Sequence, residues 1–263
     1  MMKNIVITGS TRGIGLEMAK CFLEAGCKVT ISGRGERISE RVEQELAKFR
    51  ERYQYVSCNV RSFVDLEKLW KEASVRWGQI DIWINNAGQN VPYEFCYNTE
   101  ASFVDAVTDT NLKGMIYGSQ IAAKYMIKQG FGQIFNMEGL GSNDMLQVKT
   151  ILYGTTKRAL TYFTRGLAKE LKGTSVLAGR LSPGMMLTDF ITKTPEGTES
   201  PVIHDKSFRF IFNTLADRPE TVASFFADRI LKNDKNDAHI VWLTNAKSMW
   251  RFLKSPFVKR QLI

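Results

Sequence analysis

Histidine and cysteine are scarce in this chain of 263 residues: it holds His204 and His239, and Cys21, Cys27, Cys58 and Cys96. No two cysteines stand in CxxC spacing and the histidines lie far apart, so neither a structural metal nor a disulfide framework is expected. Long hydrophobic runs are missing as well, and none reaches membrane-spanning length. No charged n-region and apolar h-region open the chain, because Lys3-Asn4 leads straight into Ile5-Val6-Ile7 and a glycine turn. Together these absences predict a soluble, cytoplasmic protein with reduced thiols. Acidic residues are in deficit, 27 against 36 Lys and Arg, which leaves a formal charge of +9. Such an excess suits nucleic acid or an anionic lipid surface. Much of it is scattered along helices as a solvated face, and a phosphate-rich ligand also needs local positive charge, so no nucleic-acid partner is expected.

What the chain does have is a regular alternation. Strand patterns fall at Lys3 to Thr8, Lys28 to Ser32, Tyr53 to Cys58, Ile80 to Asn85, Gln133 to Met137 and Ser175 to Leu181. Helical patterns fall between them: Gly13 to Ala25, Glu36 to Arg52, from a Ser62 cap towards Trp77, around Ala101 to Met126, and the segment carrying Tyr153 and Lys157. A helix starting near Pro219 and a strand at His239 to Leu243 finish the chain. Strands separated by helices of this length imply right-handed crossovers, hence an α/β fold with a Rossmann-type doubly wound parallel sheet. One domain over 1–263 is expected from the length. Ligands of such a sheet gather at the carboxyl ends of its strands.

The first such end is Thr8-Gly9-Ser10-Thr11-Arg12-Gly13-Ile14-Gly15. Its glycines permit a tight turn and close approach of backbone N–H groups to a pyrophosphate at a helix start. After the second strand a site for NAD places an acid to hold the ribose 2'-hydroxyl. Here the segment reads Ser32-Gly33-Arg34, and Arg34 with Arg12 suits a 2'-phosphate, which predicts NADP(H). The alternative is that both arginines point to water. Downstream, Tyr153 and Lys157 share a helix face at i and i+4. An ammonium beside a phenol favours its ionised form, and bringing a phenol from about 10 to near neutrality takes about 4 kcal/mol. Alone that spacing is common on amphipathic helices.

In company it is not. The glycine turn, Cys58-Asn59-Val60, Asn85-Asn86-Ala87-Gly88, Asn111 within a helix, Tyr153 with Lys157, and Pro183-Gly184 followed by Thr188 come in an order that resembles the short-chain dehydrogenase/reductase family over nearly the whole chain. The resemblance implies an oxidoreductase exchanging hydride with a carbonyl, with Tyr153 as proton donor and Lys157 holding the nicotinamide ribose. It further implies that Asn59 and Val60 border the adenine, that Asn86, Ala87 and Gly88 contact the adenine ribose, that Pro183, Gly184 and Thr188 line the nicotinamide, and that Asn111 helps hold a relay water. Asn59 replaces the family's usual Asp. The family's Ser thirteen residues before the Tyr falls on Leu140, so Ser142 becomes the candidate to polarise the carbonyl, with Asn143 in reserve. Glu138 reads either as a pocket carboxylate or as an ordinary charge at a strand end, the second being favoured. The loop from Asn136 to Ser142, together with Tyr153-Gly154-Thr155-Thr156-Lys157-Arg158 and Leu181-Ser182-Pro183-Gly184-Met185, is similar to the chlorophyll b reductase branch. That implies reduction of the C7 formyl group of chlorophyll b or chlorophyllide b. Small-ketone, steroid or 3-oxoacyl reduction, and a non-catalytic NADP sensor, are the alternatives. The family also implies a homodimer or homotetramer through the helices around Ala101 to Met126 and Tyr153 to Leu171.

Residues 185–212 are expected to cover the substrate, with Met185, Met186, Leu187, Phe190 and Ile191 suiting a bulky hydrophobic molecule or simply the core. The stretch from Pro195 to Pro201 reads as a loop or lid. The tail at 244–263 interleaves Lys247, Arg251, Lys254, Lys259 and Arg260 with Trp250, Phe252, Leu253 and Phe257. It suits a membrane surface, a partner subunit, or packing of its aromatics on its own domain.

Overall fold

Ile5, Val6 and Ile7 leave no surface exposed in Asn4–Ile7 (β1), because this strand has a helical layer on both faces. Beside it lie Lys28–Gly33 (β2) and then Tyr53–Ser57 (β3). On its other side come Ile82–Asn85 (β4), Gly132–Met137 (β5), Val176–Ser182 (β6) and Ala238–Val241 (β7). All pairings are parallel, in the order β3-β2-β1-β4-β5-β6-β7, and Ile5 stands between Val29 and Ile82. The chain order therefore reverses between β1 and β4, which opens a crevice at their carboxyl ends. This computed structural model describes residues 2–194, 197–258 and 260–263.

Side chains alternate across the sheet. Ile5 and Ile7 point into a core with Met18 and Phe22 of Gly13–Glu24 (α1) and Phe226 of a later helix, Pro219–Leu231. Val6 points the other way, towards Trp70 of Phe63–Trp77, Ile121 of Gly114–Gln129 and Ala168 of Ile151–Glu170. In chain order the helices are α1, Glu40–Leu46 (α2), Phe63–Trp77 (α3), Ala101–Thr108 (α4), Gly114–Gln129 (α5), Ile151–Glu170 (α6), Asp189–Thr192 (α7), Lys206–Leu215 (α8), Pro219–Leu231 (α9) and Asn245–Lys254 (α10).

Two expected helices are corrected. The one from Glu36 to Arg52 begins only at Glu40, where Ser39 Oγ accepts the Val42 N–H at 3.4 Å, and passes into a 3-10 turn at Ala47–Phe49. The one from Ala101 to Met126 is interrupted by a π-helical turn, Asp109–Lys113. The stretch 185–212, expected to cover the substrate, contains α7, a 3-10 turn at Pro201–His204 and most of α8. Pro195 and Glu196, which open the expected lid, lie outside the described residues, as does Lys259 of the tail. None of the described helices is long and apolar enough to cross a membrane.

Candidate active site

The glycine turn after β1 is held from two sides. Ser10 is buried, donates its hydroxyl to the Ile7 carbonyl at 2.7 Å and accepts the Ser32 N–H at 2.9 Å. Thr8 Oγ1 accepts the N–H groups of Asn86 and Ala87 at 3.0 and 3.1 Å. In return the Asn86 amide donates to the carbonyls of Thr8 and Gly9 at 3.0 and 2.9 Å. Two glycines are needed by this closeness. Gly9 has φ +61°, and a Cβ there would stand 2.7 Å from Ala87 Cα; a Cβ at Gly15 would collide with the Asn86 amide.

Gly13, at φ +56°, instead borders open space, with only the Thr188 methyl within reach of an added Cβ, at 3.8 Å. Arg12 precedes α1 without a capping side-chain bond, so no side chain of its own occupies the first-turn N–H groups. Arg12 and Arg34 are exposed, Thr11 packs its methyl over Gly33, and Ile14 is buried. Uncapped N–H groups, open space at Gly13 and two exposed guanidinium groups fit a phosphorylated dinucleotide.

Around this turn the other expected contacts gather unevenly. Asn59 is exposed at the end of β3; its N–H donates to Asp65 Oδ2 at 2.9 Å and its Oδ1 accepts the Arg61 N–H at 3.2 Å, while Val60 is buried beside it. Gly88 lies at the centre: an added Cβ would be 3.6 Å from Asn111 Oδ1 and 4.0 Å from Lys157 Nζ. Pro183 is buried and Gly184, at φ +71°, turns the chain over Leu243 towards Thr188.

The π turn accounts for Asn111. One extra residue in the turn points its side chain inward, where it is fully buried. Its Oδ1 accepts the Gln89 N–H at 2.7 Å, and its Nδ2 donates to the Gln89 carbonyl at 2.9 Å and to Thr156 Oγ1 at 3.3 Å. Arg61, which sequence reasoning passed over, braces the same turn through Thr110 Oγ1 at 2.8 Å and Gln89 Oε1 at 2.7 Å.

From α6 come Tyr153 and Lys157. Lys157 is 3% exposed, donates to the Met137 carbonyl at 2.9 Å and lies 5.7 Å from the centre of the Tyr153 ring. Burial lowers its pKa to about 8, against the pull of the Glu138 carboxylate. The expected downward shift of the Tyr153 phenol is reversed: burial pushes it up, and the ammonium, turned to Met137, does not offset that. The Phe190 ring meets the Tyr153 ring edge-on at 5.5 Å.

Counting back from Tyr153 points to Leu140, but the residue underneath the phenol is Gly139, where any Cβ would collide with Tyr153 Oη. Ser142 is buried; its Oγ accepts the Gly139 N–H at 3.2 Å and donates to the Lys157 carbonyl at 3.3 Å. Asn143 is exposed.

Glu138 is no ordinary strand-end charge. It is buried, and its carboxylate accepts from Thr161 Oγ1 at 2.9 Å and from the Ser182 hydroxyl, with His239 Nε2 at 2.9 Å and Arg180 at 3.7 Å. Burial alone would raise its pKa, but the bonds from His239 and Ser182 hold it below the usual carboxylate value. Only the acid next to Gly139 signalled this cluster in the sequence.

The remaining reactive groups are quiet. The cysteines are free, and burial pushes the Cys21 thiol up to about 11 and the Cys58 thiol up to about 12. Among the described residues no three His, Cys, Asp or Glu side chains are grouped for a metal ion.

Comparison with known proteins agrees with this geometry. The profile of the short chain dehydrogenase family matches residues 3–199. Chlorophyll(ide) b reductase NOL, chloroplastic, of Arabidopsis thaliana is 36% identical over 234 residues, which are 86% of this chain and 65% of that protein. The protein of the same name from Oryza sativa subsp. japonica is 34% identical over 259 residues, 94% of this chain and 73% of the other. The chain thus spans 65% and 73% of the length of these relatives. Among solved structures, ElxO with NADP bound superposes with a TM-score of 0.80 at 22% identity, over 94% of this chain and 99% of that one. With a seven-stranded parallel sheet and a family match over most of its length, the chain belongs to the short-chain dehydrogenase family.

Proposed function

We propose that the protein is an NADP(H)-dependent reductase that converts a carbonyl to an alcohol with Tyr153 as proton donor, and that its substrate is the C7 formyl group of chlorophyll b or chlorophyllide b. The observation that carries the reading is the Tyr153 phenol resting on Gly139, beside a buried ammonium, in the crevice that begins at the glycine turn. The relatives named as chlorophyll(ide) b reductases support the substrate class.

Bound NADPH supplies the hydride. Gly9, Gly13 and Gly15 with the first N–H groups of α1 hold its pyrophosphate, and Arg12 and Arg34, with no acid at the end of β2, take the 2'-phosphate. Asn59, Val60, Asn86 and Ala87 flank the adenosine half, and Pro183, Gly184 and Thr188 the nicotinamide half. Tyr153 stays protonated at neutral pH because burial disfavours its phenolate, and it passes that proton to the carbonyl oxygen. Lys157 stands behind it as the charge that stabilises the phenolate left when the proton departs, with Asn111 fixed beside Gly88. Ser142 is assigned to holding Gly139 under the phenol, since both its bonds are internal. The absence of a side chain at Gly139 makes room for the phenol oxygen itself, which sets where the formyl oxygen must come to receive the proton.

The test is incubation with NADPH and chlorophyll b or chlorophyllide b, following the formyl-to-hydroxymethyl conversion by chromatography and absorbance. Product is expected, reduced by at least about 100-fold in Tyr153→Phe, with NADPH binding retained. No product with NADPH binding intact discards the tetrapyrrole and sends the search to small carbonyls. Undiminished turnover in Tyr153→Phe discards the proton donor.

A further inference from the structure

The tail from Thr244 onwards packs in the opposite sense to an ordinary amphipathic segment: its arginines go in and its aromatics stay out. Arg251 donates to the Leu215 carbonyl at 2.7 Å and pairs with Asp217 at 2.8 Å. Arg260 donates to the carbonyls of Thr214 and Ala216 at 2.9 and 2.7 Å and pairs with Asp217 at 2.9 Å. The Leu262 N–H is held by Asn213 Oδ1 at 2.7 Å. Fastened in this way, α10 has no buried residue. Met249, Trp250 and Leu253 are 64%, 58% and 64% exposed, and Phe257 is 87% exposed. Phe252 meets Phe210 of α8 at 6.3 Å between ring centres, which joins the two helices into one apolar surface.

We infer that this face of α8 and α10 docks on an anionic lipid bilayer. Three observations select that occupant. Neither α8 nor the chain from Asn245 to the C-terminus contains a single Asp or Glu, while Lys206, Arg209 and Lys254 are exposed along the surface. The Lys254 ammonium stands 4.5 Å over the Trp250 ring, so cation and amphipathic aromatic lie at one level, as the headgroup boundary requires. Fixed aromatics need an apolar medium, and a polyanion lacking one would satisfy the lysines and leave Leu253 and Phe257 in water. A second copy is disfavoured on the same ground. A two-fold contact would set this face on a second copy of the same two helices, which carry cations and no carboxylate to answer them. Docking here also brings α8, part of the cover over the site, to the surface in which a lipophilic substrate dissolves.

The experiment is flotation of the full chain with phosphatidylcholine vesicles, with and without phosphatidylglycerol. Its readout is binding, not turnover, so its outcome is independent of the carbonyl chemistry proposed above. Flotation with the anionic vesicles is expected, weakened by salt, and at least tenfold lower in Trp250→Glu/Leu253→Glu at an unchanged melting temperature, because both side chains are exposed. Lys206→Glu/Lys254→Glu, which leaves the apolar surface intact, should lower it as well. No flotation with anionic vesicles, or flotation that the first variant leaves unaltered, overturns the inference. So does light scattering that finds the protein a dimer which Trp250→Glu/Leu253→Glu turns into a monomer, since a second copy then covers the face.

Discussion

A lysine ammonium enclosed by protein loses water that one carbonyl does not replace, and Lys157 with its single bond to Met137 shows the consequence in a pKa near 8. The native value lies below the ordinary 10.5, so holding the charge works against folding. The sign follows: the cost is complete below about pH 8 and fades as pH rises towards 10.5, and at neutral pH it amounts to about 3 kcal/mol. Lys157→Met is therefore expected to raise stability towards denaturant at pH 7 by up to about 3 kcal/mol, an advantage that shrinks above pH 8, while turnover is lost. Equal or lower stability of this variant at pH 7 would show that the ammonium is paid for elsewhere in the fold. Ser142→Ala separates two roles. A hydroxyl that only holds Gly139 is worth about 1 kcal/mol, under tenfold in kcat, whereas a donor to the carbonyl oxygen is worth about 100-fold or more. The smaller loss is expected from steady-state kinetics, and the larger would return Ser142 to the substrate. Tyr153 and Lys157 were legible because i and i+4 is a local relation. Gly139 and Glu138 were not, because one matters through a phenol on another element and the other through His239, 101 residues away.

At the scale of elements, the ends of β1 and β2 each offer an exposed guanidinium, Arg12 and Arg34. Charge-assisted bonds of this kind contribute about 1.5 to 3 kcal/mol each. Arg34→Ala is expected to weaken NADPH binding about 10- to 100-fold and NADH binding little, by fluorescence titration, and equal losses for both would remove the 2'-phosphate assignment. The strands themselves were readable to within a residue or two, since parallel strands buried on both faces are short continuous apolar runs. Helices were less so. Charge alone extended α2 past the cap that Ser39 provides, and apolar periodicity ran through Asp109–Lys113 because a π turn shifts the phase without breaking it. The helix α10 escaped notice as a helix because its apolar side chains have no core to match.

For the molecule as a whole, Asp217 joins parts that the sequence keeps separate. Its N–H donates to the Met185 carbonyl at 3.1 Å and its carbonyl accepts the Leu187 N–H at 3.0 Å, while its carboxylate takes the Trp242 indole at 2.7 Å along with Arg251 and Arg260. Asp217→Asn leaves two partly buried guanidinium groups without a carboxylate, and a loss of about 2 kcal/mol is expected by chemical denaturation. A loss below about 0.5 kcal/mol would mean that the backbone carbonyls alone retain the tail. No spacing rule announces such a junction, because each partner comes from a different length of chain. The junction has a thermodynamic consequence. The segment beside Thr188 hangs from the backbone of Asp217 and the tail from its carboxylate, so a ligand that shifts that segment also shifts the tail. Linkage of that kind is reciprocal: whatever factor the tail's anchorage adds to substrate affinity, bound substrate returns to the anchorage.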